Sequence, residues 1–251
     1  MKDFSLQGKV WLGTTLGTGK PGPMRWVGDV PLLNVQVETD EEERTESWSG
    51  QRGTSAVLKK ATKVTGGLTL NEALALNLAL ALHGSVTSVA AGTATAEAFP
   101  TGLVAGDVVA LENGDISALV VTDNAGSPAT LVAGTDYAIE SAKGGLVKIL
   151  NVGSYLQPFK AAYSFGAQQR IAMLTAQAPE KYLLFVGVNT LDNTPVRLRL
   201  YRTRFKPVEE LGLINDSFGE LALSFDCLID AVNVADPLLG GFGRLEYLGT
   251  V

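Results

Sequence analysis

Few residues in this chain could do chemistry, and their spacing decides what each can mean. Gly17-x-Gly19-x-x-Gly22 has the letters of a dinucleotide-binding turn, and Glu38 stands at the distance expected of a ribose-binding acid. That chemistry requires the glycines to open a helix whose first amides hold a pyrophosphate. Pro21, Pro23, Gly28 and Pro31 forbid such a helix, so the stretch reads as a hairpin loop. Gly19-Lys20-Pro21 fails as a phosphate loop because Pro follows the Lys where Ser or Thr should ligate magnesium. His83 is the sole histidine, which removes a histidine-pair metal site and a second-histidine proton relay. Its expected place, at a helix end, suits contact with the last carbonyls. Cys227 is the sole cysteine, so an intrachain disulfide and a cysteine metal cluster are impossible; it reads as a small buried hydrophobe. Carboxylates are plentiful, yet nothing singles out a glycosidase pair. The expectation is no catalytic residues, no cofactor and no metal.

Two charged runs remain as candidates for contact rather than catalysis. Glu38, Asp40, Glu41, Glu42, Glu43 and Glu46 crowd into one polar stretch, with Arg44, Arg52, Lys59 and Lys60 as nearby cations. It reads as a solvated loop or as a loop contacting another subunit. Arg197, Arg199, Arg202 and Arg204 share one strand, and the step from odd to even positions predicts a bulge or a change of face near Tyr201. Arg197 and Arg199 either line a solvated strand face or fork onto the acidic stretch of a neighbouring subunit.

The elements that would carry these residues are mostly strands. Gly at 28 residues, charge at only 18%, and short Val/Thr/Leu runs between Gly, Asn, Asp and Ser are the punctuation of an all-β protein. Strands are expected over 8–12, 32–38, 59–70, 161–174, 182–188, 196–205 and 221–229. Residues 71–84 are the one expected helix, capped by Asn71 and ended by Gly84. On its wheel Leu74, Leu78 and Leu82 form one stripe and Leu76 and Leu80 fall nearly opposite. Either the helix is buried all round or its second stripe meets another subunit. Closely spaced short strands around Asn113-Gly114 and Gly144-Gly145 suggest a small β domain at 99–152, inserted between main-domain parts at 1–98 and 153–251. The last residues, with Pro237, Gly240, Gly241 and Gly243, read as an extended arm.

A net charge of −6 argues against a protein that grips nucleic acid. The opening Met1-Lys2-Asp3-Phe4-Ser5 lacks the apolar stretch of a secretory signal, and residues 73–82 are too short for a span of about 20 residues. We expect a soluble protein made in a cytoplasm.

Three stretches together resemble the major tail tube proteins of bacteriophages with long, flexible, non-contractile tails. They are Lys2-Asp3-Phe4-Ser5-Leu6-Gln7-Gly8-Lys9-Val10-Trp11-Leu12-Gly13, residues 67–84, and Leu198-Arg199-Leu200-Tyr201-Arg202-Thr203-Arg204-Phe205 through Phe218-Gly219-Glu220-Leu221-Ala222-Leu223. The resemblance implies a mainly-β fold, a β-sandwich or flattened barrel flanked by one helix. It also implies self-association into hexameric rings that stack into a hollow virion tail. DNA would cross the lumen without specific binding; tape measure, tail terminator and distal tail proteins would be partners. The inserted domain would sit on the tube exterior. A rival reading is a β-sandwich adhesion or carbohydrate-binding module, with Trp11, Trp26 and Trp48 as stacking platforms, although Trp11 is expected in the core.

Overall fold

The structure, a computed structural model, describes residues 3–249. Met1, Lys2 of the opening segment, and Thr250 and Val251 of the expected C-terminal arm lie outside the described residues. The chain is mainly β and divides into two compact units, residues 1–86 with 171–251, and residues 87–170.

In the first unit, β1 (Leu6–Thr15), β2 (Pro21–Trp26), β3 (Leu32–Thr45), β4 (Thr54–Leu70), β13 (Glu180–Asn189), β14 (Pro195–Phe205) and β15 (Leu221–Cys227) form one antiparallel sheet. Its order is β2-β1-β13-β14-β15-β4-β3, and β16 (Gly243–Tyr247) pairs with β14 beside that path. Strand β14 carries β16 along Val196 to Leu200 and β15 along Thr203 to Phe205, one after the other on the same edge. Between those stretches lies a register shift opposite Lys181 and Leu183, the bulge expected near Tyr201. The sheet closes on itself into a sandwich: Val10, Leu12 and Leu183 share one buried core with Leu68, Leu70, Leu221 and Leu223 from the far end of the strand order. Phe205 and Phe225 meet inside it with ring centroids 5.5 Å apart. Gly66 makes room for the second ring, because an added Cβ would lie 2.4 Å from Phe225 Cζ.

Several expectations change here. The hairpin loop at 16–20 holds as expected, with Gly19 at a φ of 72°, but a strand follows it. Strand β2 carries Pro21 and Pro23, which an edge position tolerates because one side of the strand needs no amide donor. The helix is only α1 (Ala75–Ala81), with no side-chain cap at its start. Asn71 instead donates its side-chain amide to Asp29 Oδ2 at 2.7 Å. At the other end His83, at a φ of 46°, takes the left-handed position expected of Gly84, and the Gly84 amide closes the turn on Ala79 O. The buried His83 ring reaches Phe205 O on β14, at 3.1 Å, rather than the helix's own carbonyls. The C-terminal stretch is not a free arm: Tyr201 OH donates to Leu239 O and β16 joins the sheet.

The second unit is wider than the expected 99–152. β6 (Gly92–Ala98) and β11 (Lys160–Phe165) flank 99–152 and form a three-stranded sheet, order β6-β11-β8, with β8 (Ile116–Thr122). β11 therefore leaves the main domain, where the sequence pattern had put it. β7 (Val108–Ala110), β10 (Leu146–Ile149) and β9 (Tyr137–Ser141) form the other three-stranded sheet. Asn113-Gly114 is thus not a hairpin turn, since β7 and β8 belong to different sheets; the flanking Leu111 and Asp115 amides donate to Gly145 O and Lys143 O instead. Val121, Val147, Ile149, Phe159 and Ala161 are fully buried in a core of the unit's own. The chain passes between units twice, through β5 (Ser85–Val89) and β12 (Gln168–Ala172), which pair with each other.

Two buried carboxylates organise the loops of this unit. Asp123 accepts the Ala129 amide at 2.7 Å, and Asp136 accepts the Val132 amide at 2.8 Å and the Tyr155 hydroxyl at 3.1 Å. Those bonds favour the ionised form, the Val132 amide contributing most at Asp136, and hold both carboxyls below their usual range against the opposing effect of burial.

Two outcomes follow. Phe225→Ala should destabilise the first unit by about 3 to 5 kcal/mol in urea unfolding, because the cavity between β4 and β15 cannot collapse around Phe205. Asp136 has a depressed folded-state pKa, so its stabilisation is complete above the unfolded value of about 4 and is lost as pH falls through the folded one. Asp136→Asn should therefore be less stable than wild type at about pH 7, with the gap closing at about pH 3. An equal gap at both pH values would show that the carboxylate charge is not what holds the loop.

Candidate assembly surfaces

The acidic stretch is not a loop. Strand β3 pairs with β4 along its whole length, so Glu38, Asp40, Glu41, Glu42 and Glu43 lie on one strand of a hairpin. Leu33, at the root of this arm, packs on the core, while every β3 residue from Asn34 outward is exposed. Alternation divides the acids between faces. Glu38 stands opposite Lys63 and Asp40 opposite Ala61; beyond a bulge, Glu41 stands opposite Lys59, on the other face. Glu42 pairs with Lys60 at 2.8 Å, with both groups about half exposed. Glu46 closes the tip, its carboxylate accepting from the Ser49 hydroxyl and from the amides of Ser49 and Trp48 at 2.9 and 3.0 Å. The Ser49 hydroxyl is the main reason its pKa is lowered. Trp48 is 79% exposed there, and Val37, Val57 and Leu58 are exposed along the arm.

The helix pair separates. Leu80 is buried in the core of its own unit and is no surface candidate, whereas Leu76 is 55% exposed. Leu74, assigned to the opposite stripe, is exposed as well, because a helix of barely two turns does not sustain two continuous stripes.

Arg197 and Arg199 are neither a solvated face nor free for a neighbour. Both reach Glu246 Oε2 on β16, and Arg244 Nε lies 2.9 Å from Glu246 Oε1. That last approach satisfies distance but not hydrogen-bond alignment. Three guanidinium groups thus converge on one half-buried carboxylate, whose pKa is lowered chiefly by the Arg197 hydrogen bond. The cross-strand register sets this up: Arg197 faces Glu246 and Arg199 faces Arg244. Sequence reading missed Glu246, whose only signal is the period-two Arg244-x-Glu246 spacing. Arg202 is held by Glu180 at 2.8 Å.

Trp11 does not reach the core. Val10 and Leu12 on either side of it point inward, so Trp11 lies half-exposed on the outer sheet face, directly across from Trp26 on β2. Lys9 Nζ stands 5.2 Å from the centre of the Trp26 ring.

These features define a class: a mainly-β protein of two antiparallel units whose charged and aromatic residues build surfaces. Over residues 3–246 the chain matches the family described as protein of unknown function UCP028589, and it belongs to that family. None of the curated proteins matches it. Among the described residues no three His, Cys, Asp or Glu side chains stand together as a metal site, and no helix is long and apolar enough to cross a membrane.

Removing the carboxylate at the Arg cluster should cost more than removing an arm acid. Glu246→Gln leaves three half-buried guanidinium groups around a neutral amide, and we expect a loss of about 1 to 3 kcal/mol in thermal unfolding. Glu42→Gln, at an exposed pair, should cost no more than about 1 kcal/mol. Equal losses would mean that the cluster is as solvated as the arm.

Proposed function

We propose that this chain is the structural subunit of a phage tail tube, assembled in the bacterial host cytoplasm into stacked hexameric rings through which DNA leaves the virion. The observation that carries the reading is the β3–β4 arm. The outer part of this two-stranded hairpin is exposed on both faces and packs on nothing in its own unit, and its apolar and charged side chains are suited to another copy. Edge strand β3 offers unpaired backbone groups for joining sheets between subunits. The net charge of −6 suits a conduit past which phosphates slide. The second unit, carried on paired strands β5 and β12, would project from the tube exterior. Tape measure, tail terminator and distal tail proteins are the further partners this reading implies.

A second reading, an adhesion or carbohydrate-binding module, is favoured by half-exposed Trp11 and exposed Trp26, opposite each other on β1 and β2, with Lys9 over the Trp26 ring.

Negative-stain images of concentrated protein separate the two: rings or tubes support the first, isolated particles the second. Exposed ion pairs are worth only about 0 to 1 kcal/mol each, but ring symmetry repeats them. Changing Glu41, Glu42 and Glu43 together to Gln should flatten the salt dependence of assembly and leave thermal unfolding of the monomer nearly unchanged. Unaltered salt dependence would remove the arm from the interface.

A further inference from the structure

Strand β14 ends at Phe205 and β15 begins at Leu221, and the segment between them is rooted beside α1. The Val208 amide donates to Ala81 O at 2.8 Å, and Val208 and Leu211 pack on the core. Beyond that anchor every residue over 212–220 is exposed. Leu213 is 84%, Ile214 96% and Phe218 101% exposed. Single exposed apolar residues are ordinary, but three bare ones within a short loop mark a contact surface. The same loop carries Glu209, Glu210, Asp216 and Glu220, none of which has an ion pair among the described residues.

The first unit also holds a groove with the opposite character. It measures about 310 Å³ and lies along α1, with Leu76, Ala79 and Pro179 among its apolar walls and Arg25 and Lys181 as its cations. No carboxylate lines it. Arg25 is held by the neutral Asn77 side chain at 2.8 Å, and neither cation has a carboxylate partner among the described residues. An apolar trough with two uncompensated positive charges fits an apolar segment flanked by carboxylates.

We infer that the loop at 209–220 of one copy docks in the α1 groove of the next. Leu213, Ile214 or Phe218 would fill the trough, and the loop acids would meet Arg25 and Lys181. Knob and groove are different surfaces of one chain, so the contact passes from copy to copy and suits a closed ring. This inference rests on the self-assembly reading and names a contact other than the arm.

The test mixes two full-length variants in sedimentation velocity. Ile214→Ser with Phe218→Ser removes the knob, and Leu76→Asp blocks the groove with a charge the loop acids repel. Wild type should form large assemblies, and each variant alone should weaken assembly by about tenfold or more. An equimolar mixture should recover one-to-one complexes, since each variant keeps the half the other lacks. Should Leu76→Asp not fold, Lys181→Glu serves as the groove variant, and Glu209→Lys with Glu210→Lys in the same chain should restore it. Assembly unchanged in both single variants overturns the docking and leaves the tube reading standing. A mixture that stays monomeric overturns it too, and a monomeric wild type overturns both.

Discussion

An extra residue between Leu200 and Thr203 lets β14 serve two halves of a sandwich. Before it, Val196, Leu198 and Leu200 point toward the core; after it, Thr203 and Phe205 do. Strict alternation would have carried Arg202 and Arg204 onto the inner face, where an unpaired guanidinium costs several kcal/mol, on the order of the whole stability of a domain. The bulge moves all four arginines of the strand outward. It also ends the pairing with β16 and opens the same edge to β15, so the path β15-β4-β3 folds back over β1 and β13. Glu246 depends on this as well, since its opposition to Arg197 exists only while β16 occupies the first half of that edge.

The far end of that path is an edge strand, and a long edge is a hazard unless something restricts what may pair with it. Here the acids are the restriction. Placed at successive positions of a strand, Glu41, Glu42 and Glu43 charge both faces of the arm, so an indiscriminate strand cannot lie against either side without desolvating a carboxylate. Lys59, Lys60 and Lys63 on β4 offset part of the repulsion within the hairpin. What remains is an acidic edge, which in the proposed assembly would favour a partner that brings cations.

Much of the fold was legible because strands with one buried face announce themselves by alternation. β15 and the first half of β14 follow it, β13 shows instead as a continuous apolar run, and even the bulge showed in the parity of four arginines. The misses have physical causes. The outer part of the arm has no buried face, so period-two hydrophobicity is absent and Glu38 to Glu43 read as loop. Apart from Glu97, β6 is built of Gly, Ala and Thr, too small to signal a strand, so the inserted unit looked narrower than it is. Of the second helix stripe Leu80 is covered and Leu76 is not, because which apolar residue is covered depends on β-strands distant in sequence. Glu246 could not be singled out, since its role comes from a register 47 to 49 residues away.

The charges sort by whether the chain uses them itself. Most of the paired cations find partners inside their own unit: Arg197, Arg199 and Arg244 at Glu246, Arg202 at Glu180, Lys206 at Asp226, and in the second unit Lys143 at Asp115 and Arg170 at Glu112. Many of the acids without an ion pair stand on projections, the β3 edge and the loop at 209–220, while Asp123, Asp136 and Asp230 are buried and hydrogen-bonded. Part of the formal charge of −6 is therefore displayed at the parts that reach outward. In a proposed assembly of identical copies an unmatched cation beside an apolar trough becomes a docking address, and Arg25 and Lys181 line one such groove together.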